Sequence, residues 1–201
     1  MPAPFNPLDK VSLAEAIQRK LMDMAPVSFD ALKPFEGVGL YAIYYDGDFE
    51  CYRRAAKANA HSRWQVPFYV GKAVPKGSRK GALLDAGQTS NELSSRLQKH
   101  AATITAAENL NLRDFHVRYL CVDPIWIPLG ESLMISEFGP IWNKLLDGFG
   151  NNDPGSGRYN QLRSRWDTLH PGRTWAEKCK VRPDQPKDLV RDVEEFFAAR
   201  T

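Results

Sequence analysis

The stretch Val38-Gly-Leu-Tyr-Ala-Ile-Tyr-Tyr45 decides the fold of this chain. Every residue after its glycine is apolar or aromatic, which predicts a β-strand whose side chains point alternately to its two faces. A shorter stretch, Pro67-Phe-Tyr-Val-Gly71, ends in glycine and predicts a second strand. Each strand carries a tyrosine beside its glycine motif, Tyr41 in the first and Tyr69 in the second, and the candidate site is built outward from these two positions.

Further strands and helices are expected around this pair. The turn signal Asp46-Gly47-Asp48 predicts a hairpin with a return strand over Phe49–Arg53. A capping box of Thr89 and Glu92 predicts the start of a helix. One more strand is predicted over Phe115–Val122. Three more helices are predicted over Ser12–Met24, Pro128–Gly139 and Lys187–Arg200. No repeat or linker divides the chain, so a single domain over residues 1–201 is expected.

The composition is that of an ordinary globular protein, with 43% hydrophobic and 25% charged residues. No apolar run approaches the ~20 residues of a membrane span, and the N-terminus lacks the pattern of a secretion signal. The three cysteines, Cys51, Cys121 and Cys179, are too far apart for a zinc motif or a disulfide framework. We therefore expect a cytoplasmic protein with no membrane partner.

Two segments hold a surplus of positive charge. Residues 72–100 contain six Lys or Arg side chains against two acidic ones, and residues 158–182 contain seven against two. Because both segments have a loop-like composition, these surpluses indicate a polyanionic partner. Two solvated loops would have the same composition, so charge alone leaves both interpretations open.

Several side chains suit the hydrolysis of a phosphodiester, which needs a proton acceptor, positive charge near phosphorus and stabilisation of the leaving 3′ oxygen. Arg96 offers a bidentate fork to phosphate oxygens, and His100, four residues later on the same helix, titrates near neutral pH. Glu131 is a hard oxygen ligand that suits Mg²⁺. A tyrosine has an unperturbed pKa near ~10, so it serves as a base only where positive charge, such as that of Lys72, lowers its pKa.

Each residue also has a simpler explanation when it is taken alone. A tyrosine in a strand usually packs in the core, and a helical arginine or histidine is more often solvated or structural. A single helical glutamate is usually a surface residue, and Asn143 could cap a turn. Composition and periodicity therefore support only an α/β-type domain with a candidate phosphate site.

Taken together, the residues resemble the GIY-YIG nuclease superfamily. Gly39-Leu40-Tyr41 is similar to the first motif of that family, and Tyr69-Val70-Gly71 is similar to the second. The remaining positions of the family are matched in order by Arg96, His100, Glu131 and Asn143. The resemblance covers residues 38–143, which would form the catalytic core.

The resemblance implies an α+β fold, with a small mixed β-sheet flanked by helices, loop insertions and a C-terminal extension. It also implies a nuclease with one divalent metal, Mg²⁺ with Mn²⁺ as a substitute, and Glu131 as the only protein ligand of that metal. Tyr69 and Asn143 would position the water, the phosphate or neighbouring side chains.

The resemblance also assigns the proton transfer and the phosphate contact. Tyr41 would be the general base or would relay a proton, with His100 assisting. Arg96 would bind the scissile phosphate, and Lys72 would lower the pKa of the tyrosine.

The segments outside this core resemble the type II restriction endonuclease branch, and in particular the enzymes that cut the palindrome CCGCGG. Residues 72–88 would be a basic insertion loop, residues 147–182 a DNA-recognition extension and residues 187–200 a C-terminal helix. A palindromic site implies a two-fold homodimer on double-stranded DNA, and a cognate DNA methyltransferase in the same bacterial host. The candidate DNA contacts are Lys76, Arg79, Lys80, Arg158, Arg163, Arg165 and Arg173.

Two other functions stay open. A nuclease of the repair, recombination or homing type would need only the same core, although the short tail carries no recognisable zinc finger or helix-turn-helix. A DNA-binding module without activity could keep the fold, although it would not need all six catalytic positions.

Overall fold

A four-stranded sheet lies at the centre of the part of the chain that the structure describes. The structure is a computed structural model, and it describes residues 9–61, 63–75 and 90–200. The strands are β1 (Val27–Ser28), β2 (Gly39–Tyr45), β3 (Pro67–Ala73) and β4 (Phe115–Cys121). Their order is β1-β4-β2-β3, and every pairing is antiparallel.

The α+β class is confirmed, but the sheet is not mixed as the resemblance implied. The strands β3 and β4 run in the same direction, because each is antiparallel to β2. They do not pair with each other, since β2 lies between them. Among the three long strands, β3 and β4 are the two that could form a parallel pair, and β2 keeps them apart. The described sheet is therefore purely antiparallel.

Helices cover both faces of the sheet. They are α1 (Lys10–Met22), α2 (Arg53–Asn59), α3 (Glu92–Ala106), α4 (Ile127–Phe138), α5 (Ile141–Lys144), α6 (Arg165–Leu169), α7 (Thr174–Glu177) and α8 (Pro186–Ala198). The four predicted helices correspond to α1, α3, α4 and α8. Thr89, predicted to cap α3, lies outside the described residues. Within the described ranges, no helix combines the length and apolar character that a membrane span needs.

The alternation of β2 divides the core in two. Leu40, Ala42 and Tyr44 pack with apolar residues of α1 and α4 on one face. Tyr41 and Ile43 point to the other face, which is covered by residues of α3, α5, α6 and α8. Both faces of the strand are fully buried, as expected for a central strand with a continuous apolar sequence.

The segment 147–182, predicted as a DNA-recognition extension, contributes to this second core. Trp166 of α6 is completely buried and contacts the ring of Trp142 in α5. His170, also completely buried, lies 2.6 Å (Nε2) from the Tyr52 hydroxyl, and its Nδ1 lies 2.8 Å from Asn109 Oδ1. The extension is therefore packed against the predicted catalytic core by apolar surface and by buried polar contacts.

The predicted return strand over Phe49–Arg53 is wrong. A 3₁₀ turn at Glu50–Tyr52 leads directly into α2. The Tyr52 ring is completely buried and packs edge-on against Tyr45 and Phe68. Burial of this aromatic side chain outweighs the local preference of the Asp-Gly pair for a hairpin turn.

Asn59, at the end of α2, takes the place of the missing hairpin turn. Its amide nitrogen donates to the carbonyl oxygens of Tyr45 and Val66, both at 2.9 Å, and its Oδ1 accepts from the Val66 backbone nitrogen at 2.8 Å. Tyr45 ends β2 and Val66 precedes β3. One buried side chain thus joins the two strand ends across a long connection.

We expect Asn59→Ala to lower the free energy of unfolding by about 2–4 kcal/mol, because each buried backbone group left without a partner costs about 1–3 kcal/mol. Urea denaturation followed by circular dichroism measures this loss. Asn160→Ala is the matched control, since Asn160 is exposed, and it should change stability by less than about 0.5 kcal/mol. Equal effects of the two substitutions would contradict the bridging role of Asn59.

Candidate active site

A buried hydrogen bond between a strand and a helix forms the centre of the candidate site. The Tyr41 hydroxyl of β2 lies 2.7 Å from His100 Nε2 of α3. Tyr41 is completely buried and His100 is 2% exposed. The structure therefore brings together two residues that are 59 positions apart in the sequence and that were both predicted as catalytic.

Glycine in the second motif makes room for this arrangement. Gly71 of β3 pairs with Tyr41 across the sheet. A Cβ atom at Gly71 would lie 2.4 Å from the Tyr41 hydroxyl oxygen and 2.8 Å from the Tyr69 ring, which is too close for any side chain. The absence of a side chain at Gly71 lets both tyrosine rings lie on the same face, with their centroids 6.2 Å apart.

Burial sets the protonation of the pair. It raises the pKa of Tyr41, and the neighbouring Tyr69 raises it further, whereas Arg96 opposes the shift. Burial also holds the pKa of His100 well below its usual value, assisted by the positive charges of Arg96 and Arg173. At neutral pH, both groups are therefore uncharged, and the Tyr41 hydroxyl donates to His100 Nε2 in the tautomer that carries its proton on Nδ1. The expectation that positive charge brings the pKa of Tyr41 below its ordinary value is wrong for the protein without bound DNA or metal. Desolvation raises this pKa by more than Arg96 lowers it.

Arg96 lies one helical turn before His100, on the same side of α3. Its Nη2 donates to the Gly150 carbonyl oxygen at 3.0 Å. Its charge and hydrogen bonding act on both Tyr41 and Tyr69, opposing the increase in their pKa values. The guanidinium group therefore lies beside both tyrosine hydroxyls, as a phosphate-binding arginine next to a proton-transfer pair would.

Glu131 and Lys72 form an ion pair at the edge of the sheet. Lys72 Nζ of β3 lies 2.7 Å from Glu131 Oε2 of α4, and the Lys72 and Glu131 side chains are 39% and 20% exposed. The Glu131 charge is near enough to raise the pKa of both Tyr41 and Tyr69. Lys72 thus neutralises Glu131 instead of lowering the pKa of Tyr41, which differs from its predicted role.

The chemistry of Glu131 fits a single hard cation. Its carboxylate is accessible and already holds a positive group. No cluster of three His, Cys, Asp or Glu side chains in the described ranges could enclose a metal ion. Mg²⁺ commonly binds through one or two carboxylates and completes its shell with water and substrate phosphate, so one glutamate is compatible with it.

Asn143 supports the outer edge of β3. Its Oδ1 accepts from the Val70 backbone nitrogen and its Nδ2 donates to the Val70 carbonyl oxygen, both at 2.8 Å. Because β3 is an edge strand, these bonds replace those of a further strand. The side chain fixes the backbone between Tyr69 and Gly71 and thereby positions the tyrosine.

The predicted DNA-binding residues fall into different environments. Arg158 is exposed and donates to the Pro154 carbonyl oxygen. Arg163 donates to the backbone carbonyls of Ala176 and Glu177, and Arg165 forms an ion pair with Asp192. Three others, Lys76, Arg79 and Lys80, lie outside the described residues, as does most of the insertion loop.

Arg173 is the one candidate whose surroundings contradict a DNA contact. Its side chain is 5% exposed and pairs with the Asp167 carboxylate. All five of its N–H groups meet acceptors of the protein itself. No donor is left for a base or a phosphate, so the prediction of a DNA contact at Arg173 is corrected.

Two neighbours of the site were not predicted from the sequence. The ring of Phe149 stacks on His100 with centroids 4.5 Å apart and an interplanar angle of 12°, and it also contacts Tyr69. The Gly150 carbonyl oxygen accepts from Arg96. Both residues belong to a glycine-rich run that indicates only a loop, and no local signal distinguishes a loop over an active site from a solvated one.

The comparison with protein families agrees with this arrangement. The family model described as the Eco29kI GIY-YIG domain matches residues 33–197, which is well over half of the 201 residues. The match includes every predicted catalytic position, the extension and most of α8. No match was found among curated proteins. The chain therefore belongs to the Eco29kI GIY-YIG domain family of type II restriction endonucleases, and it is a restriction-type nuclease whose substrate is DNA.

Proposed function

We propose that the protein is a site-specific type II endonuclease that hydrolyses phosphodiester bonds in double-stranded DNA at a short GC-rich palindrome, CCGCGG by resemblance. The single observation that carries the proposal is the buried Tyr41–His100 hydrogen bond with Arg96 beside it. A proton acceptor inside the protein, next to a fixed positive charge, is the arrangement that hydrolysis of a phosphodiester requires.

The proton path follows from the two neutral groups. When water attacks phosphorus, an O–P bond forms and the bond to the 3′ oxygen breaks. The water proton passes to the Tyr41 oxygen as the Tyr41 proton passes to His100 Nε2, and the 3′ oxygen takes a proton from solvent. Because His100 is neutral at physiological pH, it has a lone pair for that proton, and the negative charge of the arriving phosphate would raise its proton affinity. Transfer of both protons together avoids a free tyrosinate.

Access to Tyr41 is controlled by its partly exposed neighbours. Tyr41 is completely buried, whereas Tyr69 and Arg96 are only partly so. The scissile phosphate would bind at the Arg96 guanidinium, and the Arg96 and Tyr69 side chains would shift so that water reaches the Tyr41 oxygen.

Glu131 would hold Mg²⁺, or Mn²⁺ in its place, together with water and phosphate oxygens. When bound, the metal would supply positive charge that stabilises the leaving oxygen. Lys72 lies at the same edge of the sheet as Glu131, where its partly exposed ammonium group would be available to the phosphate.

A palindromic site requires two copies of the catalytic centre. The protein would act as a two-fold homodimer on DNA, each subunit cutting one strand. A DNA methyltransferase of the same host would protect the site. The DNA contacts would come from Arg158 and from the insertion-loop side chains Lys76, Arg79 and Lys80. Arg163 and Arg165 are half-buried and would have to exchange a partner within the protein for DNA.

Digestion of a plasmid of known sequence tests the proposed function. Discrete bands that appear with Mg²⁺ and disappear with a chelator are expected, and sequencing of the ends identifies the site. A metal-dependent smear would favour a structure-selective or non-specific nuclease. Retarded DNA without cleavage would favour a binding module.

We expect Glu131→Gln to reduce cleavage by at least roughly 10²-fold, since loss of one charge contact with the transition state costs 10²–10³-fold. DNA affinity, measured by gel retardation, should be retained. Glu137→Gln is the matched control, because Glu137 is an exposed glutamate of the same helix. Normal cleavage by Glu131→Gln would show that another residue holds the metal.

We expect Tyr41→Phe to reduce the single-turnover rate by about 10²–10⁴-fold, the range that general acid–base catalysis supplies. Its dissociation constant for DNA should stay unchanged, because the hydroxyl lies inside the protein. Tyr44→Phe is the control, since Tyr44 is an equally buried tyrosine of β2 whose hydroxyl contacts Met22 on the other face. Weaker binding with a normal rate on bound DNA would exclude proton transfer by Tyr41.

A further inference from the structure

The buried Arg173 guanidinium is the most heavily bonded polar group of the extension. Its Nε and Nη2 donate to the Asp167 carboxylate at 2.6 and 2.7 Å. Its remaining three N–H groups donate to backbone carbonyl oxygens of Gly148, Phe149 and Asn151, at 2.9, 3.3 and 3.0 Å. One side chain therefore holds three of four consecutive residues, which we name the capping loop (Gly148–Asn151).

Asp167 fixes Arg173 in turn. Ser164, which caps the N-terminus of α6, donates its hydroxyl to Asp167 Oδ2 at 2.5 Å and accepts from the Asp167 backbone nitrogen at 3.0 Å. Trp166 and Trp175 flank the Arg173 guanidinium, with its carbon 4.9 and 4.6 Å from their ring centroids. The guanidinium is thus anchored by α6 and by two aromatic rings, which do not belong to the capping loop.

The opposite side of the capping loop touches the catalytic cluster, by which we mean the side chains of Tyr41, Tyr69, Arg96 and His100. Phe149 stacks on His100 and meets Tyr69 edge-on. The Gly150 carbonyl accepts from Arg96, and a Cβ at Gly150 would lie 2.6 Å from the Tyr69 hydroxyl and 3.2 Å from Arg96 Nη2. The loop backbone therefore fits closely against the cluster.

We infer that Arg173, held by Asp167, is a positioning residue that acts on catalysis through the capping loop, by keeping Phe149 against His100 and the Gly150 carbonyl against Arg96. The inference rests on the proposed function for its effect on rate. Three of the five bonds of Arg173 go to this glycine-rich loop, and no other side chain in the described region binds three of its carbonyl groups. Without these three bonds, His100 would keep its helix and its bond to Tyr41 but lose the stacked Phe149 ring, and Arg96 would lose the Gly150 carbonyl.

A second buried polar contact also joins the extension to the core. It serves as a matched comparison for the Arg173 contact. The Tyr52 hydroxyl lies 2.6 Å from His170 Nε2 and accepts from Trp142 Nε1 at 3.0 Å. These bonds are as buried as those of Arg173, yet they make no bond to the capping loop. Loss of either contact should weaken the extension, whereas only loss of the Arg173 contact should disturb the cluster.

The experiment compares four variants with the wild-type protein: Asp167→Asn, Arg173→Lys, Phe149→Leu and Tyr52→Phe. Asp167→Asn is the mildest change, and it still tests the inference if Arg173→Lys fails to fold. The measurements are the thermal midpoint, the dissociation constant for DNA without metal, the single-turnover cleavage rate with Mg²⁺ and the NMR position of the His100 Hε1 proton. The last reports Phe149 directly, since a ring stacked on the imidazole shifts this signal.

We expect Asp167→Asn and Arg173→Lys to reduce the cleavage rate by about 10- to 100-fold, as loss of supporting contacts commonly does. Their DNA affinity should stay within about twofold, and their His100 signal should move toward that of Phe149→Leu. A double variant, Asp167→Asn with Phe149→Leu, should be no slower than the slower single variant. Tyr52→Phe should lower the thermal midpoint and leave the rate and the His100 signal unchanged.

Three results would overturn the inference. Weaker DNA binding with a normal rate on bound DNA would make Arg173 a DNA contact. A loss of rate in Tyr52→Phe equal to that in Arg173→Lys would show that Arg173 only stabilises the fold. A His100 signal that does not move in Asp167→Asn or Arg173→Lys, together with a double variant whose loss of rate is the product of the two single losses, would show that Arg173 does not act through Phe149. If the wild-type protein does not cleave DNA, the proposed function fails, and the His100 signal of Asp167→Asn alone decides whether Arg173 positions Phe149.

Discussion

The hydrogen bond between Tyr41 and His100 is the interaction on which the rest of the site depends. Both groups are almost completely buried, and a buried polar atom without a partner costs about 1–3 kcal/mol. Each residue therefore needs the other, and their pairing fixes the helix α3 on the sheet at one register. Arg96, one turn away on the same helix, is placed by the same contact.

Arg96 lies beside this neutral pair, but the ion pair of the site is set apart from it. Burial keeps Tyr41 and His100 uncharged, as the directions of their pKa shifts show. The ion pair joins Lys72, on the edge strand, to Glu131 of α4, and both side chains are partly exposed. This separation suits phosphodiester hydrolysis, because positive charge is accessible to an arriving phosphate while the proton acceptor stays neutral and shielded from bulk water.

The elements that carry the site were predictable because their signals are local. Alternation identified β2, a short glycine-ended run identified β3, and helix start and stop signals identified α4. The residues brought together by α3 could be named from spacing and resemblance, but their protonation could not, since the pKa of Tyr41 depends on burial and not on neighbouring residues in the sequence. The return strand over Phe49–Arg53 failed for the same reason, because the buried Tyr52 ring decides the path of the chain.

Long-range polar contacts were the least predictable feature, and the extension shows why. Its basic residues indicated a DNA-binding surface, but a count of charges cannot distinguish an exposed cation from one that the protein itself binds. Arg163, Arg165 and Arg182 all have partners within the protein, and Arg173 has one for each N–H group.

The described cations of the extension that are exposed are Arg158, Lys178 and Lys180. Much of the positive charge in this segment therefore stabilises the fold, and the surface available to DNA is smaller than the composition suggests. The extension consequently packs as a part of the core and also carries candidate DNA contacts. A substitution of its buried Arg173, made to change specificity, is therefore expected to disturb the candidate active site as well.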